Sequence, residues 1–170
     1  VARGAGTGLS GGAMPHAQGV VLSLARLNRI LRVDPLARVA VVQPGVTLEQ
    51  LNTELAPHGF FYPVSPGENS ASLGGNVATN AGGMRAVKYG VTRHHVLGLE
   101  AVLPGGEVIR TGGKLVKTSS GYDLTQLLIG SEGTLAVVTE VTVKLQPRLD
   151  HRATLLVPFA TLDEVAHAVP

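Results

Sequence analysis

Two glycine-rich polar segments are the residues of this chain best suited to bind a ligand. The first glycine segment, Arg3 to Gly12, reads RGAGTGLSGG, and the second glycine segment, Gly74 to Gly83, reads GGNVATNAGG. Glycine lets a ligand approach the main chain closely and permits positive φ, at a cost in folding entropy. We therefore interpret both segments as exposed backbone whose N–H groups bind an anion, with phosphate oxygens the best match and Arg3 as a nearby cation.

Two common phosphate-binding motifs are poor explanations of the first glycine segment. Gly6 to Gly11 satisfies G-x-G-x-x-G, which is typical of the Rossmann dinucleotide fold. That fold also requires a preceding strand, a helix opening on the last glycine and an acidic residue about 20 positions later. Here a strand follows instead, and the nearest acid, Asp34, lies in a Val-Asp-Pro turn. Neither Gly-Lys-Ser nor Gly-Lys-Thr occurs, which argues against an ATP-hydrolysing P-loop.

The titratable residues do not indicate a catalytic centre. His94 and His95 are adjacent, so on a strand they would face opposite sides and could not bind one metal ion together. Lys88 and Tyr89 follow the second glycine segment, where contact with a ligand and contact with solvent are equally good explanations. Asp123 is best explained as a helix cap. We predict no metal site and assign no catalytic residue.

The composition indicates a folded chain and argues against some partners. Of 170 residues, 44% are hydrophobic and only 15% are charged. The net charge is +2 and there is no Trp, so a nucleic-acid surface is poorly supported. The absence of Cys excludes disulfides and thiolate sites and fits a cytosolic protein. No apolar run reaches the ~18 to 20 residues of a transmembrane helix. Since the chain begins Val-Ala-Arg, we expect its natural start to lie upstream.

Short strands alternate with a few helices in the predicted order of elements. The predicted strands are Val20 to Leu24, Val39 to Val42, Val96 to Leu103, Glu107 to Thr111, Thr134 to Leu145 and Ala153 to Phe159. The predicted helices begin at Thr47, at Ser72 or Asn76, at Asp123 and at Thr161, the last running to Val169. Arg26 to Val33 reads as a turn or short helix. We expect a second, antiparallel sheet to begin at Val96 and a boundary near residues 147 to 152.

Four segments taken together resemble the FAD-binding domain of the vanillyl-alcohol oxidase and p-cresol methylhydroxylase type. They are RGAGTGLSGG, then SASLGGNVATNAGG with VKYG, then VLGLEAVLPGGEVI, then GYDLTQLLIGSEGTLAVVTEVTVKLQP, in the order and spacing of that family. The chain is most similar to the large subunit of glycolate oxidase and to D-2-hydroxyacid dehydrogenases such as D-lactate and D-2-hydroxyglutarate dehydrogenases. The resemblance covers residues 1 to 147, and residues 148 to 170 look like the start of the C-terminal substrate domain.

The resemblance implies an α+β fold with two subdomains. One is a small strand-helix-strand part, and the other is a mainly antiparallel sheet flanked by helices, with FAD between them. The chain is expected to be truncated at both ends and to lack the first strand of the domain.

The same resemblance implies which residues hold noncovalent FAD. The residues that would wrap the pyrophosphate are Gly4, Ala5, Gly6, Thr7, Gly8, Gly12 and Ala13. Those that would pass along the flavin ring, ribityl chain and phosphates are Pro66, Gly67, Ser72, Gly75, Thr79, Asn80 and Gly82. Main-chain groups at the adenine, ribose or flavin edge would come from Glu132, Gly133, Thr134 and Val138. Several oxidases of the superfamily attach FAD through a histidine directly after the paired glycines, where this chain has Ala13.

The activity implied by the resemblance is oxidation of a D-2-hydroxy acid, of the glycolate or D-lactate class, to the 2-keto acid. In such enzymes the substrate-binding histidines and any metal belong to the C-terminal domain, so this chain alone is expected to be inactive. Electrons would pass to a partner subunit or another acceptor. We expect a cytoplasmic protein, associated with membranes through partner subunits if at all. The alternatives are a noncatalytic FAD-binding or assembly module and a flavoenzyme similar to alkylglycerone-phosphate synthases.

Overall fold

Helices and strands alternate along the chain and are separated by glycine-rich loops. The computed structural model describes residues 1–115, 117–151 and 153–168. The strands are β1 (Ala2–Arg3), β2 (Leu22–Ser23), β3 (Ile30–Asp34), β4 (Val39–Val42), β5 (Phe60–Phe61), β6 (Val96–Val102), β7 (Val108–Gly112), β8 (Val137–Lys144) and β9 (Gln146–Pro147). The α-helices are α1 (Leu48–Leu55), α2 (Leu73–Thr79), α3 (Ala86–Tyr89), α4 (Leu124–Leu128) and α5 (Leu162–Ala168), and two 3-10 turns occupy Ala56–His58 and Thr92–His94.

Five strands form one antiparallel sheet in the order β3-β4-β8-β6-β7. Two smaller sheets accompany it, a parallel pair of β1 and β2 and an antiparallel pair of β5 and β9. The mixture of helices with an antiparallel sheet agrees with the sequence prediction. The prediction that a separate sheet begins at Val96 is wrong, because β8 pairs with both β4 and β6 and so joins the early strands to the later ones.

The hydrophobic core lies where α1, α2 and α4 meet the five-stranded sheet. Val141 and Val143 of β8 are fully buried and alternate with half-buried Thr142 and Lys144, as expected of a strand with one core face. Leu51 and Leu55 of α1 are also fully buried and belong to the same cluster. This core fixes α2, which forms most of the second glycine segment. The expectation that this segment is exposed backbone is therefore wrong, because its residues 74–79 are helical and Asn76 and Val77 are buried.

Helix α1 begins where the sequence predicts, directly after Thr47. The Gln50 N–H donates to Thr47 Oγ1 at 3.2 Å, and the Thr47 N–H donates to Gln50 Oε1 at 3.0 Å, which is a capping box. After the 3-10 turn, Gly59 ends the helical segment with a φ of 74°. The predicted caps of α2 at Ser72 and of α4 at Asp123 are confirmed in the same way.

Other local predictions differ from the structure. Ile30–Asp34 is strand β3, not the predicted turn or helix, because pairing with β4 outweighs its weak helical pattern. The predicted strand Val20 to Leu24 is reduced to Leu22–Ser23, and the one from Thr134 to Leu145 is reduced to β8. The predicted strand Ala153 to Phe159 is wrong, because these described residues pair with no strand. Helix α5 is present, and Val169 lies outside the described residues.

Candidate functional site

The first glycine segment leaves β1 as an exposed loop with unpaired main-chain donors. Gly6 and Gly11 have φ values of 74° and 77°, which favour glycine. Within the described ranges, no acceptor meets the N–H groups of Gly6, Thr7, Gly8, Gly12 and Ala13. Several free N–H groups close together in a loop form a nest that attracts an anion.

The start of α2 lies directly against this loop. The Ala5 N–H donates to Ser72 Oγ at 3.0 Å, and the Gly75 N–H donates to the same oxygen at 3.4 Å. A Cβ atom added to Gly4 would collide with Ser72 Oγ. The two glycine segments are therefore in contact without any ligand between them at this point.

The end of α2 is fixed by neighbouring main chain. Asn80 adopts a left-handed conformation with a φ of 50°, which Asn tolerates better than most residues. Its Oδ1 accepts a hydrogen bond from the Arg93 N–H at 3.0 Å. Thr79 Oγ1 donates back to the Gly75 carbonyl at 3.0 Å. The Thr79 hydroxyl therefore donates its proton within α2.

The residues that follow α2 pack very closely on the loop before it. A Cβ added to Gly83 would overlap the Ser65 carbonyl oxygen and lie 2.6 Å from the Pro66 Cα, and one added to Gly82 would lie 3.0 Å from Val91 Cγ1. Gly67 is exposed and has a φ of 96°. The crossing at Gly83 holds the predicted site residues Pro66 and Gly82 near each other.

A third segment, Gly130 to Val138, packs against α2 and the first loop. The Gly130 and Glu132 N–H groups donate to the Val77 and Ala78 carbonyls at 2.9 and 2.8 Å. Glu132 and Gly133 have φ values of 53° and 75°. A Cβ added to Gly12 would lie 3.4 Å from Glu132 Oε2, and one added to Gly133 would lie 3.8 Å from the Ala2 Cβ. The third segment, α2 and the first glycine segment thus form one continuous surface.

Thr134 and Val138 contribute less to that surface. Thr134 Oγ1 donates to the Ser131 carbonyl at 2.6 Å, which closes a turn. Val138 is half-buried in β8, opposite Ala101 of β6. Nothing in this arrangement distinguishes Val138 from an ordinary strand residue.

Two polar residues near these segments were not identified from the sequence. Arg93 Nη2 lies 3.7 Å from the position of a Cβ on Gly130, so its guanidinium is near the third segment. Asn76 is 3% exposed, and its Nδ2 has no hydrogen-bond partner in the described part of the chain. Asn76 could have been identified from the sequence, because it is a polar amide within the glycine-rich stretch GGNVATNAGG. Arg93 could not, because no residue near it in sequence indicates its contact with Asn80.

A buried pair, His95 and Tyr62, lies under α3. His95 Nε2 lies 2.8 Å from the Tyr89 carbonyl, so Nε2 carries a proton and donates it. Burial lowers the pKa of the His95 imidazole; the Tyr89 hydrogen bond opposes this shift, and the charges of Lys144 and His94 reinforce it. Burial raises the pKa of the Tyr62 phenol, whose hydroxyl has no hydrogen-bond partner in the described residues. Both side chains are therefore neutral structural groups near pH 7.

The described residues show no other chemical centre. Across residues 1–115, 117–151 and 153–168, no group of three His, Asp or Glu residues is placed to hold a metal ion. Two shallow depressions lie along α1, and both are lined by Glu49 and Thr53 rather than by the glycine segments. In the described part of the chain, every helix is too short or too polar to cross a membrane.

The loop surface fits a phosphate-containing cofactor. Its unpaired N–H groups are donors that bind phosphate oxygens. The aliphatic part of the Arg3 side chain passes beside Gly6, since Arg3 Cδ lies 3.6 Å from the position of a Cβ there. An added Cβ would collide with the Ser72 side chain at Gly4 and with the Ser65 and Pro66 main chain at Gly83, so neither position has room for a side chain. FAD carries a pyrophosphate that matches these donors.

This chain is similar to an FAD-binding family and to several known proteins. Residues 1–112 match the FAD binding domain family. The chain is 64% identical over 169 residues to an uncharacterized FAD-linked oxidoreductase of Mycobacterium tuberculosis, a match that covers 99% of this chain and 37% of that protein. It is 50% identical over 167 residues to a D-lactate dehydrogenase of Archaeoglobus fulgidus, covering 98% and 38%. It is 48% identical over 170 residues to glycolate oxidase subunit GlcD of Bacillus subtilis, covering 99% and 36%.

The chain thus spans little more than a third of the length of these curated relatives. The matched range includes both glycine segments, β6 and β7, and it ends before the third segment. The relatives, in contrast, match nearly the whole chain, including the third segment. On the sequence match and on the loop geometry together, the chain belongs to the FAD-binding domain family and its cofactor is FAD.

Proposed function

We propose that this chain is the FAD-binding part of an oxidoreductase that converts a D-2-hydroxy acid, of the glycolate or D-lactate class, to the 2-keto acid. The observation that carries the proposal is the meeting of three loop segments around Ser72, Gly12 and Glu132, in a chain that belongs to the FAD-binding family. The names of the relatives, D-lactate dehydrogenase and glycolate oxidase subunit, support the substrate class.

In the proposed site, the first loop binds the FAD pyrophosphate through its main chain. Gly4, Ala5, Gly6, Thr7, Gly8, Gly12 and Ala13 are assigned to this part. Hydrogen bonds to a charged group contribute about 1.5 to 3 kcal/mol each. Five free N–H groups, those of Gly6, Thr7, Gly8, Gly12 and Ala13, support this assignment, and together they outweigh the single flexible side chain of Arg3.

The remaining contacts are assigned to the segments on either side of α2 and after α4. Pro66, Gly67, Gly75, Thr79, Asn80 and Gly82 are proposed along the flavin, ribityl chain and phosphates. Ser72 is not assigned a direct contact, because its Oγ already accepts hydrogen bonds from the Ala5 and Gly75 N–H groups. Glu132, Gly133, Thr134 and Val138 are proposed at the adenine, ribose or flavin edge. The close packing of Glu132 on Gly12 supports the part of this assignment nearest the first loop.

When bound, FAD supplies the acceptor for the hydride that leaves the α-carbon of the hydroxy acid. The chain's own residues bind and orient that cofactor through backbone donors. None of its residues is assigned as the base that takes the hydroxyl proton, and His95 is unsuitable because it is buried and already donates to Tyr89. We therefore expect the 170-residue chain by itself to bind FAD without turning over substrate, and the electrons of the whole enzyme to pass to a partner subunit or another acceptor.

The proposed domain organisation assigns residues 1–147 to the FAD-binding domain and 148–170 to the start of a substrate domain. The small β1 and β2 sheet and the larger antiparallel sheet are the proposed subdomains, with FAD between them. The pairing of β9 with β5 supports a boundary after Pro147. So does the exposure of every described residue from 153 to 168.

The cofactor is proposed to be noncovalent because Ala13 has no side chain that can form a bond to the flavin. Acid denaturation followed by separation on a gel-filtration column tests this. We expect the yellow colour to elute with small molecules. Colour that stays with the denatured protein would overturn the noncovalent assignment.

Titration of the purified chain with FAD, followed by flavin fluorescence and by ultrafiltration, tests the binding function. We expect stoichiometric binding, and a chain that stays colourless in excess FAD refutes it. The substrate proposal is tested in the whole protein by adding D-lactate, L-lactate, glycolate, propionate or acetate without oxygen. Bleaching of the visible flavin band by D-lactate or glycolate, but not by L-lactate, propionate or acetate, supports it, and no bleaching by D-lactate or glycolate refutes it.

A further inference from the structure

A single buried hydroxyl joins the first glycine segment to α2. Ser72 Oγ accepts hydrogen bonds from the Ala5 N–H at 3.0 Å and from the Gly75 N–H at 3.4 Å. Ser72 is 3% exposed, so bulk water does not compete for this oxygen. Ala5 and Ser72 are 67 positions apart in sequence. This contact therefore fixes the loop relative to the hydrophobic core, in which Leu73 and Val77 of α2 are fully buried.

Gly4 is the residue that makes this contact sterically possible. A Cβ at position 4 would collide with Ser72 Oγ, and it would lie 3.4 Å from the Ser72 Cβ and 3.5 Å from the Gly75 nitrogen. Gly4 is not among the residues with positive φ. The absence of a side chain at position 4 is thus explained by the approach of Ser72 and not by the backbone conformation.

The N-terminus of α2 has no donors left for a phosphate. The Leu73 N–H donates to the Val46 carbonyl and the Gly74 N–H to the Pro44 carbonyl, both at 2.8 Å. The Gly75 N–H is bound to Ser72 Oγ. A helix N-terminus binds anions through such free N–H groups. Since these are occupied, the free donors of the site are those of the first loop, which begin immediately after Ala5.

We propose that Ser72 is a positioning residue that holds Ala5, so that the N–H groups of Gly6, Thr7 and Gly8 are arranged for the pyrophosphate before FAD arrives. Ser72 then acts on the cofactor through the loop and makes no direct contact with it. This inference rests on the proposed FAD site and changes the direct role expected for Ser72. Rigid placement of donors before binding reduces the entropy lost on binding.

The first test compares wild type, Ser72→Ala and the matched control Ser120→Ala, which changes an exposed serine. Amide solvent exchange is measured by NMR at the Ala5 N–H, the loop amide that Ser72 Oγ accepts, in the full chain without FAD. We expect faster exchange at this amide in Ser72→Ala only, and FAD binding about fivefold weaker, as for one lost hydrogen bond. If Ser72 acted only by contacting FAD directly, Ser72→Ala would lower the affinity for FAD without changing the amide exchange measured in its absence. That result would overturn the proposal.

The second test uses the collision between position 4 and Ser72. Gly4→Ala alone should weaken FAD binding by more than Ser72→Ala, because the added methyl group pushes the loop away from α2. In the double variant Gly4→Ala with Ser72→Ala, the colliding oxygen is gone and the nearest remaining atom is the Cβ at 3.4 Å. We expect its affinity to lie within about twofold of Ser72→Ala, a non-additive result. Additive losses in the two variants would contradict the proposal.

The same variants are also compared without cofactor by thermal unfolding, where Gly4→Ala should lower the midpoint and the double variant should recover most of the loss. This readout and the amide exchange do not depend on FAD. If no variant, including wild type, binds FAD, the proposed function fails while the role of Ser72 is still tested. If FAD binds normally and the exchange of the Ala5 N–H is unaffected by Ser72→Ala, the role of Ser72 fails alone.

Discussion

Replacing Gly83 with alanine is expected to destabilise the chain strongly, because main chain crosses main chain at this point. Gly83 has a φ of 124°, which residues with a side chain rarely adopt. The new Cβ would overlap the Ser65 carbonyl oxygen and lie 2.6 Å from the Pro66 Cα. Carbon atoms in ordinary contact are about 3.5 to 4.0 Å apart, so the Ser65 segment must move by about 1 Å. The hydrogen bond from the Met84 N–H to the Ser65 carbonyl, now 3.2 Å, would be lost.

Three costs combine in this variant. The backbone conformation costs about 1 to 3 kcal/mol and the forced displacement about 1 to 3 kcal/mol. The lost hydrogen bond adds about 1 kcal/mol. We expect the free energy of unfolding to fall by about 3 to 7 kcal/mol, which is a large part of the ~5 to 15 kcal/mol typical of a domain. Urea unfolding followed by far-ultraviolet circular dichroism measures the change.

Gly59→Ala is the matched control for this variant. Gly59 has a φ of 74°, but a Cβ there would meet no heavy atom within 4 Å. Only the backbone cost of about 1 to 2 kcal/mol should therefore appear. The difference between the two variants measures the collision with Ser65 and Pro66. Equal losses at the two positions would refute the reasoning, since they would mean that the chain crossing at Gly83 is looser than the structure shows.

Three further predictions concern the core, a helix cap and pH. Leu51→Ala should lower the free energy of unfolding by about 2 to 5 kcal/mol, because Leu51 is fully buried. Urea unfolding measures this change, and a decrease of less than about 2 kcal/mol would contradict the place of Leu51 in the core. Thr47→Ala should cost about 1 kcal/mol through the lost capping box, whereas the exposed Thr53→Ala should not destabilise α1. Burial lowers the pKa of His95 in the folded chain, so as the pH falls below about 6.5 this imidazole takes up a proton in the unfolded chain before it does in the folded chain. The free energy of unfolding should therefore decrease as the pH falls through this range. His95→Phe should remove this pH dependence.

Sequence patterns predicted the elements whose signals are local. Thr47, Ser72 and Asp123 each lie one residue before a helix and accept a main-chain N–H there, so side-chain chemistry alone located these starts. The predicted strands Val96 to Leu103 and Glu107 to Thr111, which are separated by Pro104-Gly105-Gly106, correspond to the paired strands β6 and β7. Strand β3 was missed because its conformation depends on β4, and the position of β8 between β4 and β6 was missed because it depends on residues far apart in sequence.

The candidate site was predictable in its segments but not in its contacts. The glycine content identified the first and second segments, and the family resemblance added the third. The bond of Ala5 to Ser72, the bond of Arg93 to Asn80 and the approach of Glu132 to Gly12 all join distant positions, so no local pattern encodes them. The assignment of individual residues to parts of FAD stays a prediction until the complex is measured.

The insertion of β8 between β4 and β6 has a consequence for how the protein folds. Val39 pairs with Lys144, about 100 positions later, so a long loop must close before the central sheet exists. Topologies dominated by such distant pairings fold slowly. During synthesis, β3, β4, β6 and β7 all leave the ribosome before the strand that joins them. Until β8 emerges, the edges of β4 and β6 are open to pairing with other chains, which makes this interval the period of greatest exposure to aggregation and to chaperones.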